Sequence, residues 1–156
     1  MILYSNNNIK FKAENFAANE IEKESDQNTF VVTPKLLQTL KGLDILREEI
    51  GEALIVSDGC RFNSDEGSQH HFKHYNAIDV YAHNYTSMEL MKVVEDLGLF
   101  TGRGVYPGDK IIHVDCRRGL YPNKTGNRIS RWYRKNGDYY AWNRDYYNNP
   151  FNGLVF

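Results

Sequence analysis

Apolar residues along this chain come in short bursts, and the spacing inside each burst separates helix from strand. From residue 34 onward Leu36, Leu37, Leu40, Leu43, Leu46 and Ile50 recur at intervals that keep to one side of a helix. Thr33-Pro34 supplies an N-cap and a proline at the first helical position, where no donor is lost, and Gly51 stands where a helix stops. An amphipathic core helix is predicted over Pro34–Ile50. In a second helix Thr86 and Glu89 form a capping box ahead of Met88, Leu90, Met91, Val94, Leu97 and Leu99, with Gly98 near its end.

Three runs read instead as strands: Ala53-Leu54-Ile55-Val56-Ser57, residues 77–82 and residues 111–116. In an extended chain alternate side chains share a face, so Ala77, Asp79 and Tyr81 point one way while Ile78 and Val80 point the other. The same rule puts Ile111, His113 and Asp115 together, opposite Ile112, Val114 and Cys116. Residues 62–69 form a polar loop, and Gly102, Gly104, Pro107 and Gly108 mark a turn-rich link into the last strand. Residues 1–30 are polar, with Phe11, Phe16, Ile21 and Phe30 as scattered anchors, and predict a loosely structured or short-element lead-in. From Arg117 the chain is rich in Tyr, Asn and Arg. Its Trp132, Tyr133, Tyr139, Tyr140, Trp142, Tyr146 and Tyr147 are expected to cover the sheet as extra strands or a wrapping segment. The alternative is a platform for glycan rings or a partner.

A length of 156 residues suits one domain with a core that needs no staple, and neither repeat nor linker divides it. The elements predict an α+β fold, a small and mainly antiparallel sheet flanked by helices. A net charge of -1 offers no general attraction to nucleic acid or anionic membrane, so neither is expected as a partner, and a monomer is expected. No apolar run approaches a membrane span, and the opening Met-Ile-Leu-Tyr-Ser-Asn-Asn-Asn lacks the core of a signal peptide. Cys60 and Cys116 form no CxxC and are expected in the core, unbridged.

The candidate chemistry lies in Ser68-Gln-His-His-Phe-Lys-His-Tyr-Asn-Ala-Ile-Asp79 and in Ile111-Ile-His-Val-Asp115. A carboxylate in mid-strand is costly to bury unless it is paired or meets a cation, so the strands of Asp79 and His113, if brought together, invite a metal. Mixed imidazole and carboxylate ligands suit zinc, and catalytic zinc keeps three protein ligands and an open position. His70 and His71 both qualify as the third ligand, nine and eight residues ahead of Asp79. His74 and His83 are expected to be solvated surface residues.

Together these motifs, in this order, resemble the M15 zinc peptidases. Those are D-alanyl-D-alanine carboxypeptidases and related peptidoglycan peptidases of the Hedgehog/DD-peptidase fold, many of them phage lysins. Ser57-Asp58-Gly59-Cys60-Arg61 resembles the first motif, Ser68-Gln69-His70 the start of the second and Ala77-Ile78-Asp79 its end. Gly104-Val105-Tyr106-Pro107 through His113-Val114-Asp115 resembles the last, and Arg131-Trp132 the pair that follows it, so the likeness covers roughly residues 11–132. Ser-Gln-His matches as a unit, which favours His70 over His71.

The resemblance implies zinc on His70, Asp79 and His113, and hydrolysis of a peptide bond in the stem peptides of the cell wall. It implies a protein without its own signal peptide, cytoplasmic or phage-associated, that acts at the wall. Asp115 would move the proton or else orient a ligand imidazole. Arg61 would stabilise an oxyanion or hold a substrate carboxylate, unless it is only a surface ion-pair partner, and Ser68 would add a hydrogen bond to the substrate. Two other functions compete. A non-catalytic zinc-containing module of a phage or cell-wall assembly is favoured by the long histidine-to-aspartate spacing, and a metal-dependent nuclease is disfavoured by the near-neutral charge.

Overall fold

The computed structural model describes residues 2–5, 15, 16, 18–21, 29–62, 64–121 and 129–141. Strands β1 (Ile2–Ser5) and β2 (Thr29–Val32) pair antiparallel as a small separate sheet, with the short helix α1 (Ala18–Ile21) between them in the chain. Of the anchors expected in residues 1–30, Phe16 and Ile21 are buried. Phe30 belongs to β2, and Phe11 lies outside the described residues.

Helix α2 (Pro34–Ile50) has the bounds its pattern predicts. Thr33 Oγ1 accepts from the Leu36 N–H at 3.0 Å, and Gly51, in the left-handed region at φ 68°, turns its N–H back to the Arg47 carbonyl. Leu36, Leu40, Leu43 and Leu46 are fully buried, whereas Leu37 falls on the outer side and is 43% exposed. Helix α3 (Ser87–Asp96) opens with the Thr86 and Glu89 capping box and buries Leu90, Met91 and Val94.

The main sheet has six strands, β3 (Ile55–Asp58), β4 (Ala77–Tyr81), β5 (Gly102–Tyr106), β6 (Ile111–Asp115), β7 (Ser130–Lys135) and β8 (Asp138–Ala141), in the order β3-β4-β6-β5-β7-β8. It is mixed: β7 runs parallel to β5, and the other neighbours run antiparallel. One face carries Ile78, Val80, Val105, Ile112 and Val114 into a single core with α2 and α3. The residues between them, Asp79, Gly104 and His113, therefore face the opposite way.

Two stretches differ from the sequence pattern. Gly102 and Gly104, expected in a link, belong to a central strand, β5, paired on both sides. Arg103 between them points to the helix side, 1% exposed. It is ion-paired with Glu95 of α3 and donates from Nε to the Leu99 and Phe100 carbonyls at 2.8 and 3.1 Å. The aromatic tail supplies β7 and β8, joined at Asn136-Gly137 with both residues at positive φ, as a tight hairpin turn of the primed kind requires. Trp142, Tyr146 and Tyr147 lie outside the described residues.

Candidate metal centre

Register builds the site. Asp79 on β4 stands opposite His113 on β6, and on the other side of His113 the partner is Gly104 of β5, itself level with Trp132 of β7. Gly104 leaves room for the indole, since a Cβ there would lie 2.5 Å from Trp132 Nε1. The Trp132 ring thus reaches the His113 ring, 4.9 Å between centroids.

His70 arrives from the loop after β3. That loop folds back on the strand end: the Arg61 N–H donates to the His70 carbonyl at 2.8 Å and the Phe72 N–H to the Arg61 carbonyl at 3.2 Å. Residues 71–75 then coil into a turn, with the N–H groups of His74 and Tyr75 both donating to the His71 carbonyl at 2.9 Å. This turn absorbs the long spacing between His70 and Asp79.

Three electron-pair donors converge as a result. His70 Nε2 lies 3.2 Å from Asp79 Oδ1 and 3.0 Å from His113 Nδ1, and the latter lies 2.8 Å from Asp79 Oδ1. The outer nitrogen of each ring is occupied. His70 Nδ1 donates to the Gly59 carbonyl at 2.6 Å, and His113 Nε2 donates to Asp115 Oδ2 at 3.1 Å. Each inner nitrogen is left with a lone pair directed at the other and at the carboxylate, an arrangement that repels itself unless a cation sits among the donors.

The charge balance points the same way. Burial by itself would raise the Asp79 carboxyl, but the hydrogen bonds with His113 and His70 outweigh it and hold the group well below the usual carboxylate range. For His113 burial pulls the imidazole down, and the carboxylates of Asp115 and Asp79 at its two nitrogens outweigh that and raise it to about 9. An imidazole flanked by two carboxylates favours positive charge beside it, as proton or as metal.

The donor set fits zinc. All three residues are buried yet line one cleft, which leaves a fourth side open, and the separations of 2.8–3.2 Å approach the edges of about 3.3 Å in a tetrahedron with bonds of ~2.0–2.1 Å.

The other expected residues divide. His71 is buried but stays apart from the triad, its ring packed on Phe72 at 4.5 Å and its Nδ1 accepting from the Lys73 N–H. Asp115, expected to move a proton or else to orient a ligand imidazole, stands behind His113 as seen from the triad. It is 0% exposed, turned to the outer nitrogen of His113 and gripped by Arg117, whose N–H and Nε both donate at 2.9 Å. The physical reason is Gly102 beside it, where a Cβ would come within 2.0 Å of Asp115 Oδ2.

Arg61 lines the cleft and also holds Asp58, its Nε donating to Oδ2 at 2.7 Å. Ser68 lines the cleft too, and its Oγ accepts from the His70 N–H at 3.2 Å. His74 and His83 are exposed, and Cys60 and Cys116 are buried and not bridged to each other.

The cleft, about 700 Å³, has a second wall of Tyr106, Arg117, Trp132, Arg134 and Tyr139, of which sequence reasoning singled out neither Arg117 nor Arg134. Burial lifts the Tyr106 phenol far above its ordinary range, and the nearby Asp79 charge adds to this, so the group stays a proton donor. The Asn136-Gly137 pair between alternating residues was the available signal for this hairpin.

A family model described as Peptidase M15 matches residues 14–115. No curated protein and no solved structure matches the chain.

Proposed function

The chain belongs to the M15 peptidase family, and from that premise we propose that it is a zinc-dependent peptidase that hydrolyses peptide bonds in the stem peptides of bacterial peptidoglycan. It would belong to the D,D-carboxypeptidase and endopeptidase class, with the Hedgehog/DD-peptidase fold of that class, and would serve as a wall lysin, phage-borne among other settings. The observation that carries the reading is the convergence of His70, Asp79 and His113 with both outer ring nitrogens engaged.

His70, Asp79 and His113 would hold the zinc, which would supply an acidified water and a Lewis acid for the scissile carbonyl. The chain's own groups do the rest. Asp115 and the Gly59 carbonyl fix the two imidazoles as neutral donors toward the cleft. Arg61 offers a planar guanidinium to a substrate carboxylate or to the developing oxyanion, and the Tyr106 hydroxyl adds a neutral donor. Trp132 covers the side of His113 and keeps water from that flank. Ser68 holds the His70 backbone and presents its hydroxyl to the cleft.

One observation favours a second reading, a non-catalytic zinc-containing structural or binding module: Asp115, the carboxylate expected to move the proton, faces away from the cleft.

Zinc content and digestion of purified peptidoglycan, measured on the parent and on His113→Ala, test the two readings. The peptidase predicts one zinc per chain and new amino groups released from the wall, both lost in the variant. Stoichiometric zinc without released amino groups would reject the peptidase in favour of the module.

A further inference from the structure

The cleft continues past the triad toward the β7–β8 hairpin. On that side alternation and register bring Arg134 of β7 and Tyr139 of β8 together as Cα partners, next to Tyr106 at the end of β5. The Arg134 guanidinium lies over the Tyr106 ring, 5.7 Å from its centroid, and Tyr139 meets the same ring edge-on at 6.3 Å while remaining 63% exposed. A further cavity of about 320 Å³ extends beyond, lined by Tyr106, Pro107, Asp109, Arg134, Lys135 and Gly137.

The three cleft arginines are not alike. Arg61 is held by Asp58 with Nε at 2.7 Å, and Arg117 by Asp115 at 2.9 Å. Arg134 has Asp109 at 4.0 Å, at an open rim where such a pair contributes little. Among the described residues its charge is therefore the least engaged of the three and available to a ligand. A guanidinium held over a ring still has N–H groups to spare, which suits a carboxylate bound through two hydrogen bonds.

Arg61 follows β3 and Arg134 sits on β7, so the triad strands β4 and β6 lie between them in the sheet order.

We propose that Arg134, Tyr139 and the face of Tyr106 form a second substrate subsite, which takes a carboxylate-bearing peptide segment remote from the bond to be cut. The proposal rests on the peptidase reading and deepens it: the substrate crosses the triad with an anionic group on each side, one toward Arg61 and one toward Arg134. The residues that build this subsite lie largely beyond the stretch that carries the family likeness.

The test uses a purified stem tetrapeptide with its carboxyl groups free or amidated. Each form is titrated into the zinc-loaded parent, Arg134→Gln and Tyr139→Ala, and the same proteins are given purified peptidoglycan. The free form is expected to bind the parent about tenfold more tightly than the amide. Arg134→Gln should lose part of that preference, the share owed to Arg61 remaining, and Tyr139→Ala should weaken binding of both forms, with zinc content unchanged throughout. A parent that binds both forms equally, or neither, overturns the subsite, and so does a preference for the free form that is as large in Arg134→Gln as in the parent. Binding of peptide-free glycan strands that depends on Tyr139 would make the surface a saccharide platform and overturn it too. Carboxylate-selective binding without wall cleavage sinks the peptidase reading alone, and cleavage without selectivity sinks the subsite alone.

Discussion

At His113 one ring serves two purposes, and which nitrogen does which depends on a single neighbour. Asp115 accepts from Nε2, so Nδ1 keeps the lone pair that faces Asp79 and His70. Asp115→Asn retains the shape but removes the charge that strengthens the imidazole as a donor, and it leaves Arg117 short of its partner. Zinc affinity should fall about 10- to 100-fold, as read by competition with a chromophoric chelator. Unchanged affinity with abolished cleavage would instead make Asp115 the proton carrier. Its place beside His113 was legible, because alternation is local. Its direction was not, because that depends on the missing side chain of Gly102 on another strand.

At the scale of elements β5 is the least advertised and the most consequential. Gly-Arg-Gly carries poor strand propensity, yet those glycines let Asp115 and Trp132 lie across the strand, while Arg103 is directed to Glu95 on α3. Glu95 also accepts from Arg131 of β7 at 2.6 and 2.9 Å, so one carboxylate ties helix, central strand and tail strand together. Burial by itself would raise its pKa, but Arg131 and Arg103 outweigh that and hold it below the ordinary value. Glu95→Gln leaves Arg103 buried without a counter-charge and should cost about 3–5 kcal/mol in urea unfolding at neutral pH. A carboxyl with a depressed folded pKa contributes stability that is present above its unfolded value, about 4.3, and is lost as pH falls through the depressed one. The difference between parent and variant should accordingly narrow only on the acid side. A constant difference from pH 7 down to pH 2 would show that Glu95 does not act through its charge.

For the molecule as a whole, the sheet separates stability from chemistry. The apolar core with α2 and α3 fills one face, and the triad and cleft occupy the other. Chelation should leave a cooperatively folded protein with a lower melting temperature. Free zinc at a thousandfold over its Kd adds about 4 kcal/mol, or roughly 8–16 °C for a chain of this size. Calorimetry should find that increment in the parent and not in His113→Ala, and an equal shift in both would place the zinc elsewhere. Much of this was open to the sequence: the two helices with their caps, the strands around Asp79 and His113, and the faces those side chains occupy. All of these follow from contacts within a few residues of one another. The tertiary structure alone decided that β4 lies beside β6, that the turn at 71–75 delivers His70 and turns His71 aside, and that the β7–β8 hairpin walls the cleft. Those outcomes depend on pairings between distant segments, for which residue spacing carries no signal.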